Sequence, residues 1–153
     1  MNNISGSIEM FWQKFLSQTN RDKNIKYSDC FQFGQSADEL LDLVLKGIKK
    51  ATSSSLWAYE LESERLPQVG DLSVVTDSDG NPKCVIEIMA VTIILFGDVT
   101  YDICKREGED QTLQTWQKNH RDFFTEEGKD IGYEFSLDMP IVFEDFKVVY
   151  EEL

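Results

Sequence analysis

One histidine and three cysteines are all the soft metal ligands this sequence offers. Cys30, Cys84 and Cys104 stand far apart, no Cys-x-x-Cys pair occurs, and His120 is alone. A structural zinc site needs three or four close-set ligands, so none is expected, and nothing else in the sequence calls for a cofactor. Three unpaired thiols read as reduced cysteines of a cytoplasmic protein rather than as a disulfide framework. Long apolar runs are missing too. The longest, Ile88 to Phe96, is broken by Thr92 and is far short of the roughly 20 residues a membrane helix requires. The first seven residues, Met-Asn-Asn-Ile-Ser-Gly-Ser, carry no basic region and no apolar core, so no secretory signal is read there. Positive charge is scarce. Fifteen Lys and Arg face 28 Asp and Glu, for a net charge of −13. Such a chain gains no long-range attraction to long nucleic acid or to an anionic membrane. A nucleic-acid role must rest on a local pocket or on a small ligand.

What is present fits one globular domain. The chain has 153 residues, 41% of them hydrophobic, enough for a single core. Ile8, Phe11, Trp12, Phe15 and Leu16 lie at helical offsets and predict an amphipathic helix over Ser7–Gln18, packed on the outside of the main domain. Tyr27 to Gly34 reads as a short extended piece. Ser36 with Glu39 has capping-box spacing, ahead of a helix with Leu40, Leu41, Val44, Leu45 and Ile48 on its buried face. Ser53–Ser55 reads as a loop, and Leu56–Leu61 as a further short helix. After Pro67 the period changes to that of strands. Leu72–Thr76 and Lys83–Phe96 flank the turn Asp77-Ser78-Asp79-Gly80-Asn81 and predict a hairpin. The long strand is apolar on both faces, as in a sheet covered on both sides or the wall of a small barrel. A short helix over Asp98–Lys105, a longer one over Thr112–Glu127 ended by Gly128, and a strand over Met139–Val149 complete the reading. Helices and strands interleave without regular βαβ alternation, so the expected class is α+β. Residues 1–26 are expected as a helical extension and 27–153 as the main domain.

The six residues Gly47-Ile48-Lys49-Lys50-Ala51-Thr52 concentrate chemistry at a predicted helix end. If the helix continues, Lys49 and Thr52 share one side of it. A threonine hydroxyl needs a base to become a nucleophile, and lysine can serve only if burial or a second cation such as Lys50 favours its neutral form. The plain alternative is a helix end dressed with lysines for its dipole. Glu87 lies amid apolar residues, which suits either a pocket-facing carboxylate or an exposed position on an edge strand. Trp57 and Tyr59 suit stacking on a base, or ordinary core packing. His120, between Trp116 and Phe123 on a helical stripe, reads as a structural histidine. Glu107, Glu109 and Asp110 read as a solvated acidic loop. Ser136 and Asp138 stand where a pocket mouth or a simple turn would place them.

Leu45 to Thr52, Trp57 to Glu60, Val69-Gly70-Asp71 and Cys84 to Val91, taken in order, resemble an ASCH domain. Trp116 to Phe124 and Phe135 to Val142 resemble its longer bacterial branch. The likeness spans about Phe31 to Tyr150. It implies a PUA-like small β-barrel with helices over the barrel mouth, here with an added N-terminal helix, and a place in RNA or modified-nucleoside biology. One branch of the family removes an acetyl group from the exocyclic amine of cytidine with a Lys-x-x-Thr pair and a strand glutamate. The matching positions are Lys49 as base, Thr52 as nucleophile, and Glu87 assisting the leaving amine. Lys50, Ser53, Trp57, Tyr59 and Ser136 are the expected substrate contacts, with Ser53 and Ser136 as alternative hydroxyls. The implied partner is a nucleoside-like small molecule or a short RNA. Other members are RNA-binding or RNA-cleaving modules, and a non-catalytic sensor of a nucleotide-like ligand is a third reading. This chain is longer than the compact amidohydrolases, so its cleft is expected to differ.

Overall fold

The computed structural model describes residues 4–34 and 36–152, so the first three residues of the N-terminal segment discussed above lie outside it. Helix α1 (Ile4–Gln18) is followed by strand β1 (Asp29–Phe31), helix α2 (Ala37–Leu45), strand β2 (Ala51–Ser55) and helix α3 (Leu56–Leu61). The hairpin β3 (Leu72–Thr76) and β4 (Pro82–Leu95) comes next, then the short helix α4 (Tyr101–Cys104), the long helix α5 (Leu113–Ile131) and strand β5 (Pro140–Glu151). The five strands form one sheet in the order β1-β3-β4-β5-β2. Only β1 and β3 run parallel among these neighbours.

The sheet curls because its longest strand is not regular. Against β5, the register of β4 shifts at Val85/Ile86 and again at Ile88/Ala90. Each extra residue bends a strand and sharpens its twist, which carries a flat ribbon toward a half-barrel. The apolar character of β4 on both faces has a direct cause. Ile86 and Ile88 pack with Leu41 and Val44 of α2 on one face. Val74 and Val85, one residue out of phase with Val75 and Ile86, meet Phe11, Trp12, Phe15 and Leu16 of α1 on the other. Farther along that second face, Ile141 joins Phe96, Trp116, Phe124 and Met139 under α5. The α+β class and the curled, helix-covered sheet agree with the sequence reading.

Several local expectations are corrected. Helix α2 stops at Leu45, and Gly47 turns the chain at φ 75°, a left-handed conformation that glycine adopts at little cost. The helix therefore ends before Lys49, and Leu45 and Ile48 are exposed rather than buried. Ser36 forms no side-chain capping bond, so the capping box is not made. Ser53–Ser55 belong to strand β2 rather than a loop. Gly128 lies within α5, which runs on to Ile131 and is capped by Gly132 at φ 106°. All three cysteines are free thiols, two of them buried.

Candidate functional site

A cleft of about 770 Å³ opens between the sheet, the loop after β1, α3 and the 105–110 segment. Strand β2 supplies its polar wall. Two residues before it, Lys49 is almost fully buried at 2% exposure. Its ammonium donates to the Ala51 carbonyl at 2.7 Å and to Glu109 Oε2 at 2.6 Å. Glu107 Oε1 lies 3.7 Å away, and the Phe33 ring 5.4 Å away.

Glu107 is the second buried charge, and sequence reasoning misplaced it. The acidic run read as a solvated loop is instead a 3₁₀ turn, Lys105–Glu107, closed by Gly108 at φ 73°. A side chain at Gly108 would run into the backbone of Ile48. The turn is tied down by Lys50 N–H donating to the Arg106 carbonyl and by an Arg106–Asp145 ion pair of 2.8 Å. That clamp drives Glu107 inward. Its carboxylate accepts from Trp116 Nε1 at 2.6 Å and Ser53 Oγ at 3.1 Å, and faces His120 Nε2 at 3.4 Å. Burial pushes this carboxyl up, but His120, Lys49 and the Trp116 N–H outweigh it and hold it below the usual range. Burial likewise pulls His120 down, and Glu107 more than reverses it. His120 Nδ1 lies 2.9 Å from the Trp116 carbonyl, an acceptor only, so it carries the proton there. Both ring nitrogens are thus committed to protein groups, and the ring stacks on Trp116 at 4.4 Å.

The decisive pair lies on the sheet. Thr52 of β2 stands directly opposite Glu144 of β5, and both line the cleft. Facing residues of an antiparallel pair point to the same side, with Cβ atoms about 4.5–5.5 Å apart. The Glu144 carboxyl is pushed up to about 7, first by burial and then by Asp71 and Asp29. Tyr59, on α3 beside them, is pushed up to about 12 by burial and by Glu144. Sequence reasoning passed over Glu144. The signal available was a carboxylate inside the apolar run Ile141-Val142-Phe143-Glu144-Asp145-Phe146, the same kind of signal that drew attention to Glu87.

Glu87 itself is elsewhere. Ile86 and Ile88 line the cleft, so alternation turns Glu87 to the opposite face, where Arg21 meets it at 3.8 Å. Lys49, Thr52, Ser53 and Tyr59 come together at the cleft. Lys50 is exposed and lines a separate groove beside β5. Trp57 packs edge-on against Tyr133 in the core under α5. Ser136 is exposed at the turn before β5 and is absent from the cleft wall.

The cleft is electronegative. Asp29, Glu62, Glu64, Asp71, Glu127 and Glu144 all line it. Among the described residues its basic groups are Lys49, Arg65 and His120, and each already faces a carboxylate, Arg65 meeting Asp71 at 3.0 Å. Phe31, Phe33, Tyr59, Phe123 and Phe146 add aromatic surface. Among the described residues no group of His, Cys, Asp and Glu is arranged to hold a metal ion, and no helix is long and apolar enough to cross a membrane.

Comparison with known proteins agrees with this architecture. A family model described as an ASCH domain matches residues 29–150. The crystal structure of an ASCH domain from Lactobacillus crispatus superposes with a TM-score of 0.85 at 39% identity, covering 94% of each chain. A protein from Enterococcus faecalis superposes with a TM-score of 0.88 at 33% identity, covering 94% of this chain and 88% of its own. A hypothetical protein at 16% identity shares the fold alone, with a TM-score of 0.52 over 79% of this chain. No curated protein matches. Most of the chain, from the first strand to the last, is thus covered by one family, and the chain belongs to the ASCH domain family.

Proposed function

We propose that the cleft binds a nucleoside carrying an acylated exocyclic amine and hydrolyses that amide. The observation that carries this reading is the charge of the cleft. Its cations are spent on carboxylates, and Glu144, Asp29 and Glu64 add negative charge around the open space. A phosphate would enter against that field, and among the described residues no cation of the cleft is free to receive it. A nucleoside has no phosphate, fits a volume typical of small-ligand sites, and can stack on the aromatic wall.

The chemistry follows from Thr52 and Glu144. Thr52 Oγ1 attacks the amide carbonyl while Glu144 takes its proton. A carboxyl near 7 is matched to that task at neutral pH. The tetrahedral oxyanion collapses as Glu144 returns the proton to the leaving amine. Glu144 then activates water to release the acyl group from Thr52. Lys49 takes a different part from the base expected of it. Ion-paired to Glu109, its ammonium has three donors and no acceptor. It stays bound to Glu109, Glu107 and the Ala51 carbonyl at the start of β2, and so holds the strand that carries Thr52.

Incubation with acetylated cytidine, its 5′-monophosphate and a mixed RNA, followed by mass spectrometry, tests the reading. Release of cytidine from the nucleoside, much faster than from the phosphorylated form, supports it. RNA fragments without deacylation would favour the RNA-cleaving alternative, and binding without turnover the sensor.

A further inference from the structure

The second half of β4 has a strand partner on one side only. Its pairing with β3 ends at Leu72↔Glu87, and the Gly70 N–H and Asp71 carbonyl extend the ladder no farther than Ile88. From Met89 to Leu95 the strand pairs with β5 alone among the described residues. That open stretch reads Met-Ala-Val-Thr-Ile-Ile-Leu and holds no charge, in a chain of which 28% is charged. Folded proteins blunt open edges with lysine, proline, inward-pointing charge or bulges; the first three are missing here, and the register shift at Ile88/Ala90 touches only the start of the stretch.

The side chains reinforce this. Met89, Ile93 and Leu95 are 44%, 49% and 40% exposed. Val69 precedes the Gly70 that bonds Ile88, and Leu137 accepts from Gly97, so these two exposed residues lie by the two ends of the strip.

We propose that β4 pairs antiparallel with β4 of a second copy, about a two-fold axis near Thr92, joining two five-stranded sheets into one. The occupant follows from charge and symmetry. On a molecule of net charge −13, a basic partner is drawn to carboxylates, which this strip lacks. An uncharged apolar strand matches it, and the same strip on a second copy is one. The antiparallel arrangement is self-complementary, sets Met89 across from Leu95 and a threonine near a threonine, and brings no like charges face to face along the strip. This assembly is independent of the activity proposed for the cleft.

Sedimentation velocity of the full chain over a wide concentration range tests it, with Ile93→Lys as the variant and circular dichroism as the check on folding. The expected result is a concentration-dependent dimer that Ile93→Lys weakens by at least about tenfold. Slower amide hydrogen exchange over residues 89–95 at dimeric concentrations is expected alongside. Should Ile93→Lys fail to fold, Met89→Lys, at a similarly exposed site, gives the same reading. A monomer at every concentration overturns the proposal, and so does a dimer that survives the lysine in a folded variant.

Discussion

Thr52 and Glu144 face each other across the β2–β5 ladder, on the wall of an acidic cleft. The helix end that seemed to join Lys49 to Thr52 does not exist. What joins them is the start of a strand, and the strand brings Glu144 with it. A hydroxyl and a carboxyl titrating near neutrality thereby become neighbours, while Lys49 is anchored by Glu109 and Glu107.

Glu144 works at a cost in stability. Its folded pKa is raised to about 7 from the ordinary glutamate value of 4.5, so the native state binds the extra proton between those values. Stability from this group therefore falls as pH rises through that window, and is lowest above pH 7. Glu144→Gln is expected to stabilise the protein at pH 8 by about 2–3 kcal/mol more than at pH 5. Urea unfolding at the two pH values measures the difference, and equal effects would remove Glu144 from its buried acidic setting.

The Glu107–His120 pair combines both directions. Glu107 is held low, so its contribution is present above the unfolded carboxyl range and lost as pH falls through the folded value. His120 is held high, so its contribution is full below the unfolded imidazole value and lost as pH rises through the folded one. Both act fully between about pH 4.5 and 6.5. Glu107→Ala leaves the Trp116 N–H and His120 without their partner and weakens the hold on Lys49. A loss of about 3–5 kcal/mol is expected near pH 6 by denaturant unfolding. A loss below 1 kcal/mol would mean that the network contributes little.

Gly128 gives a test in which propensity and packing disagree. In a helix interior, alanine is favoured over glycine by about 1 kcal/mol. Here a Cβ would run into the Tyr133 carbonyl, where the chain folds back so that the Gly132 and Tyr133 N–H groups bond the Gly128 carbonyl. Gly128→Ala is expected to lower stability by about 1–3 kcal/mol, read as a fall in the denaturation midpoint. A rise would show that the backbone yields easily.

The sequence was most informative where one face alone decides. The α1 stripe, the hairpin around Asp77–Asn81 and the two-faced β4 follow from periodicity and turn chemistry, and they appear nearly as expected. The helix end at Gly47 was less legible, because Ile48 and Lys49 extend the helical pattern past the glycine that breaks it. Ser53–Ser55 carry weak strand propensity and become a strand only because β5 pairs with them. Glu107 is buried because partners distant in sequence, Lys49, Ser53, Trp116 and His120, converge on it. Glu87 and Glu144 look alike as carboxylates within apolar strands. The pleat alone separates them, and its phase depends on bulges that leave no mark in the sequence.

The most direct measurement is the initial rate of cytidine release from acetylated cytidine by the wild type, Thr52→Ala, Glu144→Gln and Glu87→Gln. The expected result is turnover by the wild type, rising with pH through about 7, and a loss of about 10²–10⁴ in Glu144→Gln. Thr52→Ala should lose comparable activity, and Glu87→Gln should stay close to the wild type. No release by the wild type, or a loss in Glu87→Gln with Glu144→Gln unaffected, would contradict the account.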